Sequence, residues 1–98
     1  MKRDQILHDL NTHAQEIRDR FGVRSLALFG SLARQEDGPE SDVDLLVSFK
    51  EPPGFDGYMA LKLFLEDLLG TSVDLVMSGA LKPWARQTVE QEAIHVVS

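Results

Sequence analysis

The chain has 98 residues, 43% of them hydrophobic and 27% charged, which leads us to expect one soluble globular domain spanning 1–98 and no room for a second. Sixteen Asp and Glu against ten Lys and Arg leave a net charge of −6, so the chain is poorly suited to hold a nucleic-acid backbone by charge, and no direct nucleic-acid binding is expected. The absence of cysteine excludes disulfides, thiolate metal sites and a cysteine nucleophile and fits a reducing, cytoplasmic home, while no apolar run reaches the ~18 residues of a membrane helix and no signal-peptide core follows Met1-Lys2-Arg3-Asp4.

In chain order, Ile6, Leu7, Leu10, Ala14, Ile17 and Phe21 recur at helical spacing and predict one helix over 4–21, stopped by Gly22. His8 and His13 fall on its polar side and read as solvated. Ser25-Leu26-Ala27-Leu28-Phe29 is a short apolar run that reads as a strand covered on both faces, ending at Gly30. A short helix starts at Ser31, which stands at or near its N-cap, and an acidic loop follows over 36–40. From Asp42 to Phe49 the residues alternate, with Val43, Leu45, Val47 and Phe49 on one face and Asp42, Asp44, Leu46 and Ser48 on the other. After the break at Glu51-Pro52-Pro53-Gly54, Asp56 suits the cap of a helix over 57–69 closed by Gly70, more apolar all round than one stripe requires. Residues 72–77 read as a third strand, Pro83 as the first turn of a last helix to about Glu92, and 93–97 as a short closing strand. Trp84 and Phe55 read as core or partner contacts. The order indicates an α/β or α+β protein, a small sheet flanked by helices.

Three pieces carry chemistry. Gly30-Ser31 stands between a strand end and a helix start, where glycine admits a close phosphate and the free N–H groups of the turn, with Ser31, can hold its oxygens. Asp42-Val43-Asp44 opens the second strand, and its two carboxylates, two residues apart, emerge on one face. Asp74 lies in the apolar strand Val73-Asp74-Leu75-Val76 and joins them if that strand lies beside the second. Crowded carboxylates repel unless a cation or proton compensates. With three His, no Cys and many acids, the expected cation is hard and oxygen-bound, and Mg²⁺ is commonly shared with substrate phosphates. Two such ions can stabilise the attacking and leaving oxygens of an in-line displacement at phosphorus.

Gly30-Ser31, ten residues, then Asp42-Val43-Asp44 resembles the signature of the DNA polymerase β-like nucleotidyltransferase superfamily. The fuller strings Phe29-Gly30-Ser31-Leu32-Ala33-Arg34 and Ser41-Asp42-Val43-Asp44-Leu45-Leu46-Val47 resemble its minimal branch, the MNT antitoxins found beside HEPN toxins. Val73-Asp74-Leu75-Val76 matches the third family carboxylate, and Leu81-Lys82-Pro83 and Glu92-Ala93 also resemble the branch. Gln35 departs from the pattern, where many relatives carry glycine, without removing a chemical group. The resemblance implies a mixed sheet of five strands or fewer flanked by helices. It implies Mg²⁺-dependent transfer of AMP from ATP, two ions being expected, to a tyrosine hydroxyl of a HEPN RNase-like toxin bound as a hetero-oligomer. By the same resemblance, Asp42, Asp44 and Asp74 are the catalytic, metal-binding residues, with Asp74 helping to remove the acceptor proton. Gly30 and Ser31 bind the β,γ-phosphates, and Arg34 supports that loop or the phosphates.

Two other functions compete. A non-catalytic antitoxin would mask its toxin by binding, its acidic surface matching a basic RNA-cleaving site. A small-molecule nucleotidyltransferase, such as an antibiotic-modifying enzyme, is disfavoured because such relatives usually carry an additional helical domain. Arg34 has a purely structural alternative as well, pairing with Glu36 or Asp37, and Lys82 and Arg86 could approach a triphosphate or simply lie on the surface.

Overall fold

Two parallel strands, each carrying an aspartate at its second position, form one side of a four-stranded mixed sheet of order β3-β2-β1-β4. β1 is Val23–Phe29, β2 Val43–Phe49, β3 Val73–Met77 and β4 Ile94–Val97. The computed structural model describes residues 2–34 and 42–97, without the side chains of Lys2 and Ser31; the expected acidic loop, its Glu36 and Asp37, and Gln35 lie outside the described residues. β1 runs antiparallel to both β2 and β4, while β2 and β3 are parallel, with Asp44 opposite Asp74. The helices are α1 (Lys2–Thr12), α2 (Ala14–Phe21), α3 (Gly30–Ala33), α4 (Gly54–Leu69) and α5 (Pro83–Glu92), with a 3-10 turn at Ser78–Ala80.

Helices α1, α2 and α4 touch one another and contact β4, β1 and β3 respectively, so they form one layer on one face of the sheet. That face is apolar because strand side chains alternate: Val43, Leu45 and Val47 of β2 and Val73 and Leu75 of β3 are all buried. They meet Ile6, Leu10, Ile17, Leu61 and Leu65 from the helices in one core. The intervening residues Asp44, Leu46, Ser48, Asp74 and Val76 project to the other face. In β1, held between β2 and β4, Leu26, Ala27 and Leu28 are buried in succession, as a strand covered on both faces requires.

The single helix expected over 4–21 is two helices. His13 leaves helical geometry (φ −106°, ψ 12°), and its ring Nδ1 lies 2.9 Å from the Asp9 carbonyl, while Thr12 Oγ1 donates to the His8 carbonyl at 2.8 Å. These local side-chain bonds compete with the helical ladder. The apolar period runs through the break undisturbed, which is why the sequence reads as one helix. His13 is half-buried rather than solvated, its ring edge-on to Phe64 at 6.4 Å. Gly22 ends α2 with φ +65°, the left-handed cap that glycine adopts without strain. α4 begins three residues earlier than expected, with Pro53 rather than Asp56 at the cap position; the fixed φ of proline suits it to helix entry. Asp56 instead lies in the first turn, where a carboxylate favours the helix dipole.

α4 is tied to β3 at both ends. Tyr58 donates its hydroxyl to the Leu75 carbonyl, and the Glu66 carboxylate accepts the Val73 N–H at 3.0 Å and Lys62 Nζ at 3.2 Å. The Val73 bond, then Lys62, hold the Glu66 carboxyl below its ordinary value of 4.5. Four large apolar side chains stay out of the core, Phe55, Leu63, Met77 and Trp84, with Phe55 and Trp84 at 78% and 79% exposed. Among the described residues, no helix is long and apolar enough to cross a membrane.

Leu65, fully buried between α4 and the sheet, is expected to cost about 2–5 kcal/mol when truncated to Ala, out of a total of about 5–15 kcal/mol for a domain of this kind. Denaturant unfolding of Leu65→Ala measures it. A lowered carboxyl pKa stabilises the fold above the unfolded-state value and loses that contribution as pH falls through the folded value. The Glu66 contribution therefore begins to decline as pH falls below about 4.5 and is lost through the lower folded-state value, and Glu66→Gln should show a flatter loss of Tm than the parent between neutral pH and pH ~3.

Candidate active site

The acidic centre is built by strand register. β2 and β3 run parallel with Asp44 directly opposite Asp74, so both side chains leave the sheet on the face not covered by α1, α2 and α4. Asp42 lies just before β2, exposed, and its charge reaches Asp44. The sequence places Asp42 and Asp44 on one face; only the β2–β3 pairing adds Asp74. Partial burial first, then the charges of Asp74 and Asp42, push the Asp44 carboxyl above its ordinary value of 3.8, while the Arg34 guanidinium pulls it back. Asp74 is also within hydrogen-bonding reach of Asp44, a contact that favours a proton on Asp44.

β1 delivers the glycine turn to this centre. That strand ends at Phe29, paired with Asp44, so Gly30 follows directly beside the acids. Gly30 has φ +78°, and a Cβ there would come within 3.0 Å of Asp44 Cγ and closer still to its Oδ2. The glycine is thus required twice, by its backbone conformation and by the carboxylate that occupies the space a side chain would take. The N-cap of α3 is Phe29, with no side-chain cap, so Ser31 sits one residue inside the helix rather than capping it; its side chain lies outside the described residues. With four residues, α3 has only a weak dipole, and anion binding here would rest on individual N–H groups.

Arg34 closes α3. Its backbone N–H reaches the Gly30 carbonyl at 3.2 Å, and its Nη1 donates to Glu92 Oε2 of α5 at 3.0 Å, across 58 residues of sequence. Of the pairing partners expected from sequence, Glu36 and Asp37 are outside the described residues, and the Glu92 pairing had no sequence signal because nothing in the chain's periodicity sets α5 beside α3. Arg3 Nη1 donates to the Ala33 carbonyl at 3.2 Å, a second tie on the same turn. Arg86 donates to the Ser78 carbonyl at 3.2 Å, and His95 is an exposed strand residue of β4. Clefts of about 320 and 420 Å³ surround Pro52, Pro53 and Met77 at the far ends of β2 and β3, away from the acids.

Among the described residues no group of three or more His, Cys, Asp or Glu side chains is arranged to hold a metal ion. That is compatible with Mg²⁺, which is commonly held by one or two carboxylates with the remaining positions filled by water and substrate phosphates. The Asp44–Asp74 pair, with Asp42 nearby, has that chemistry: oxygen donors, one raised in pKa by partial burial and then by its like-charged neighbours.

A family model described as a nucleotidyltransferase domain matches residues 10–96. The chain is 44% identical, over 95% of its length and 94% of the relative's, to the protein adenylyltransferase MntA of Thermococcus cleftensis. A solved minimal nucleotidyltransferase structure superposes with a TM-score of 0.80 at 39% identity, covering 96% of this chain and 95% of that one. The fold also matches, with a TM-score of 0.67 and 21% identity over 93% of this chain and 71% of that one, a chain in a solved complex of a tri-AMPylated Shewanella oneidensis HEPN toxin with MNT antitoxin. This chain belongs to the nucleotidyltransferase domain family, in its minimal form.

A carboxyl whose folded-state pKa is raised weakens the fold as pH rises through that value, because the charged form is penalised. In metal-free buffer at pH 7, Asp44→Asn should therefore unfold at a higher temperature than the parent. The difference should shrink as pH falls toward 3.8. Scanning calorimetry of the two proteins across pH 4–8 tests this, and an unchanged or lower Tm at pH 7 would refute the crowding.

Proposed function

We propose that this chain is an antitoxin that transfers AMP from ATP to a tyrosine hydroxyl of a HEPN RNase-like toxin, bound as a hetero-oligomer, and neutralises it. The observation that carries this reading is the Asp44–Asp74 pair set beside the Gly30 turn, in a chain 44% identical to a protein adenylyltransferase. The fold's likeness to a chain in a solved complex of an AMPylated HEPN toxin with MNT antitoxin supports the choice of partner.

In this reading the Gly30 and Ser31 backbone N–H groups take β,γ-phosphate oxygens, and Arg34, one turn on, adds a fixed positive charge at the same edge. Asp42, Asp44 and Asp74 would hold Mg²⁺, which when bound neutralises triphosphate charge and lowers the barrier at phosphorus. Asp74, exposed on the open face, is placed to accept the acceptor's proton. The tyrosine oxygen then bonds to the α-phosphorus, the bond to the bridging oxygen breaks, and pyrophosphate leaves with that electron pair. Tyrosine ordinarily ionises near pH ~10, so a carboxylate base and nearby cationic charge are what bring the step to neutral pH.

Phe55, Leu63 and Trp84, exposed on α4 and α5, favour a second reading, in which tight binding alone masks the toxin. The two readings separate in one assay. The chain, Mg²⁺ and ATP labelled on the α-phosphate are mixed with the co-encoded partner. Label is expected on the partner and should fall at least ~10²-fold with Asp42→Asn plus Asp44→Asn or with EDTA. A stable complex with no label on the partner would leave masking as the function, and label retained by a folded double variant would overturn the carboxylate assignment.

A further inference from the structure

Asp74 rides on a strand that the sheet holds from one side. β3 pairs with β2 and stands at the end of the strand order. The Ser72 carbonyl accepts the Val43 N–H at 3.1 Å, so the backbone groups of Ser72, Asp74 and Val76 face β2, and those of Val73 and Leu75 face outward. An edge strand presents such outward groups unpaired unless something covers them. Here α4 reaches both: Glu66 accepts the Val73 N–H at 3.0 Å, and Tyr58 donates to the Leu75 carbonyl. Tyr58 and Glu66 lie on one face of α4, about two turns apart, and grip β3 one residue before and one residue after Asp74.

The helix itself gains little from a carboxylate at position 66. Glu66 stands in the last turn, where the helix carries partial negative charge, and Lys62 precedes it, the less favourable order for a pair of this spacing. What the carboxylate adds is the bond to Val73. The need for that grip lies in the acids. Asp44 and Asp74 stand opposite each other and, with Asp42, repel. β2 has a strand on either side, so β3 is the strand that would give way.

From this geometry we infer that Tyr58 and Glu66 are positioning residues for Asp74: they pin the edge strand on its outer side, before and after the aspartate, and so hold that carboxylate where an acceptor proton can reach it. A displacement of about 1 Å at a reacting group can cost on the order of 10²-fold in rate, so two backbone bonds remote from the chemistry suffice to matter.

This role rests on the transfer reading above, and a first measurement is independent of that reading. In the metal-free chain without a partner, hydrogen exchange followed by NMR compares the Asp74 and Val76 amides, which face β2, with those of Leu26 and Leu28 in the central strand β1. Tyr58→Phe and Glu66→Ala should each speed exchange at Asp74 and Val76 about three- to tenfold relative to β1. Glu66→Gln, whose amide oxygen still accepts the Val73 N–H, should stay near the parent. In the label-transfer assay with saturating partner, kcat should fall about tenfold in Tyr58→Phe and Glu66→Ala, with the KM for ATP within about twofold, because the phosphate contacts of that reading lie at the Gly30 turn after β1. Glu66→Gln should recover most of the loss. Exchange that rises equally on β1 and β3, or parental kcat in the folded Tyr58→Phe and Glu66→Ala proteins, would reduce both side chains to braces of α4 and overturn the inference. A parent that transfers no label would overturn the transfer reading, and the positioning role with it.

Discussion

The parallel pairing of β2 with β3 is the constraint on which the site depends. Its register sets Asp44 beside Asp74, and like charges at that separation resist ionising together. The core on the opposite face holds them there. Val43, Leu45, Val73 and Leu75 flank the two aspartates in sequence and are buried under α4 and its neighbours. A slip of either strand by one residue would expose its two apolar side chains and bury its aspartate, so the cost of hydrophobic exposure enforces the electrostatic arrangement. α4 contributes further, because Tyr58 and Glu66 hydrogen-bond the backbone of β3 on either side of Asp74, at Leu75 and Val73.

The Gly30 turn is fitted to the same pair. β1 delivers its last residue opposite Asp44, and the next position must turn without a side chain because the Asp44 carboxylate fills the space. A glycine that reads in the sequence as room for a phosphate is therefore also room for a carboxylate. Arg34 ends the short helix that follows, held on one side by its bond to Gly30 and on the other by Glu92. Strand register, steric clearance and a long-range ion pair thus bring three segments of chain to one edge of the sheet.

That edge is polar and open, while an apolar cleft lies at the other ends of β2 and β3, around Pro52, Pro53 and Met77. The separation suits a small domain acting on a large partner. Its chemistry is concentrated on one sheet face, and its exposed Phe55, Leu63 and Trp84 lie on helices that do not carry the acids. In the proposed reaction the second substrate is a folded protein, so the pocket for the acceptor need not be enclosed by this chain alone.

Much of this protein is legible along the chain because its signals are local. Alternation of Val43, Leu45 and Val47 with Asp44 and Ser48 marks a strand with a buried face, and Gly22, Gly70 and Pro83 punctuate the helices. The resemblance carried by Gly30-Ser31 and Asp42-Val43-Asp44 gave the family, which the match over residues 10–96 bears out. Where side chains compete locally with the backbone, the sequence pattern misleads: the apolar period of 4–21 hides the break at His13, and Asp56 looks like a cap although Pro53 starts the helix. What only the tertiary structure decided is adjacency between distant segments. That β3 lies next to β2 in parallel and that Asp44 fills the space above Gly30 are consequences of burying one face of the sheet under three helices, and Arg34 finds Glu92 because α3 lies against α5. Local propensity determines elements, whereas shared burial of their apolar faces determines which elements meet.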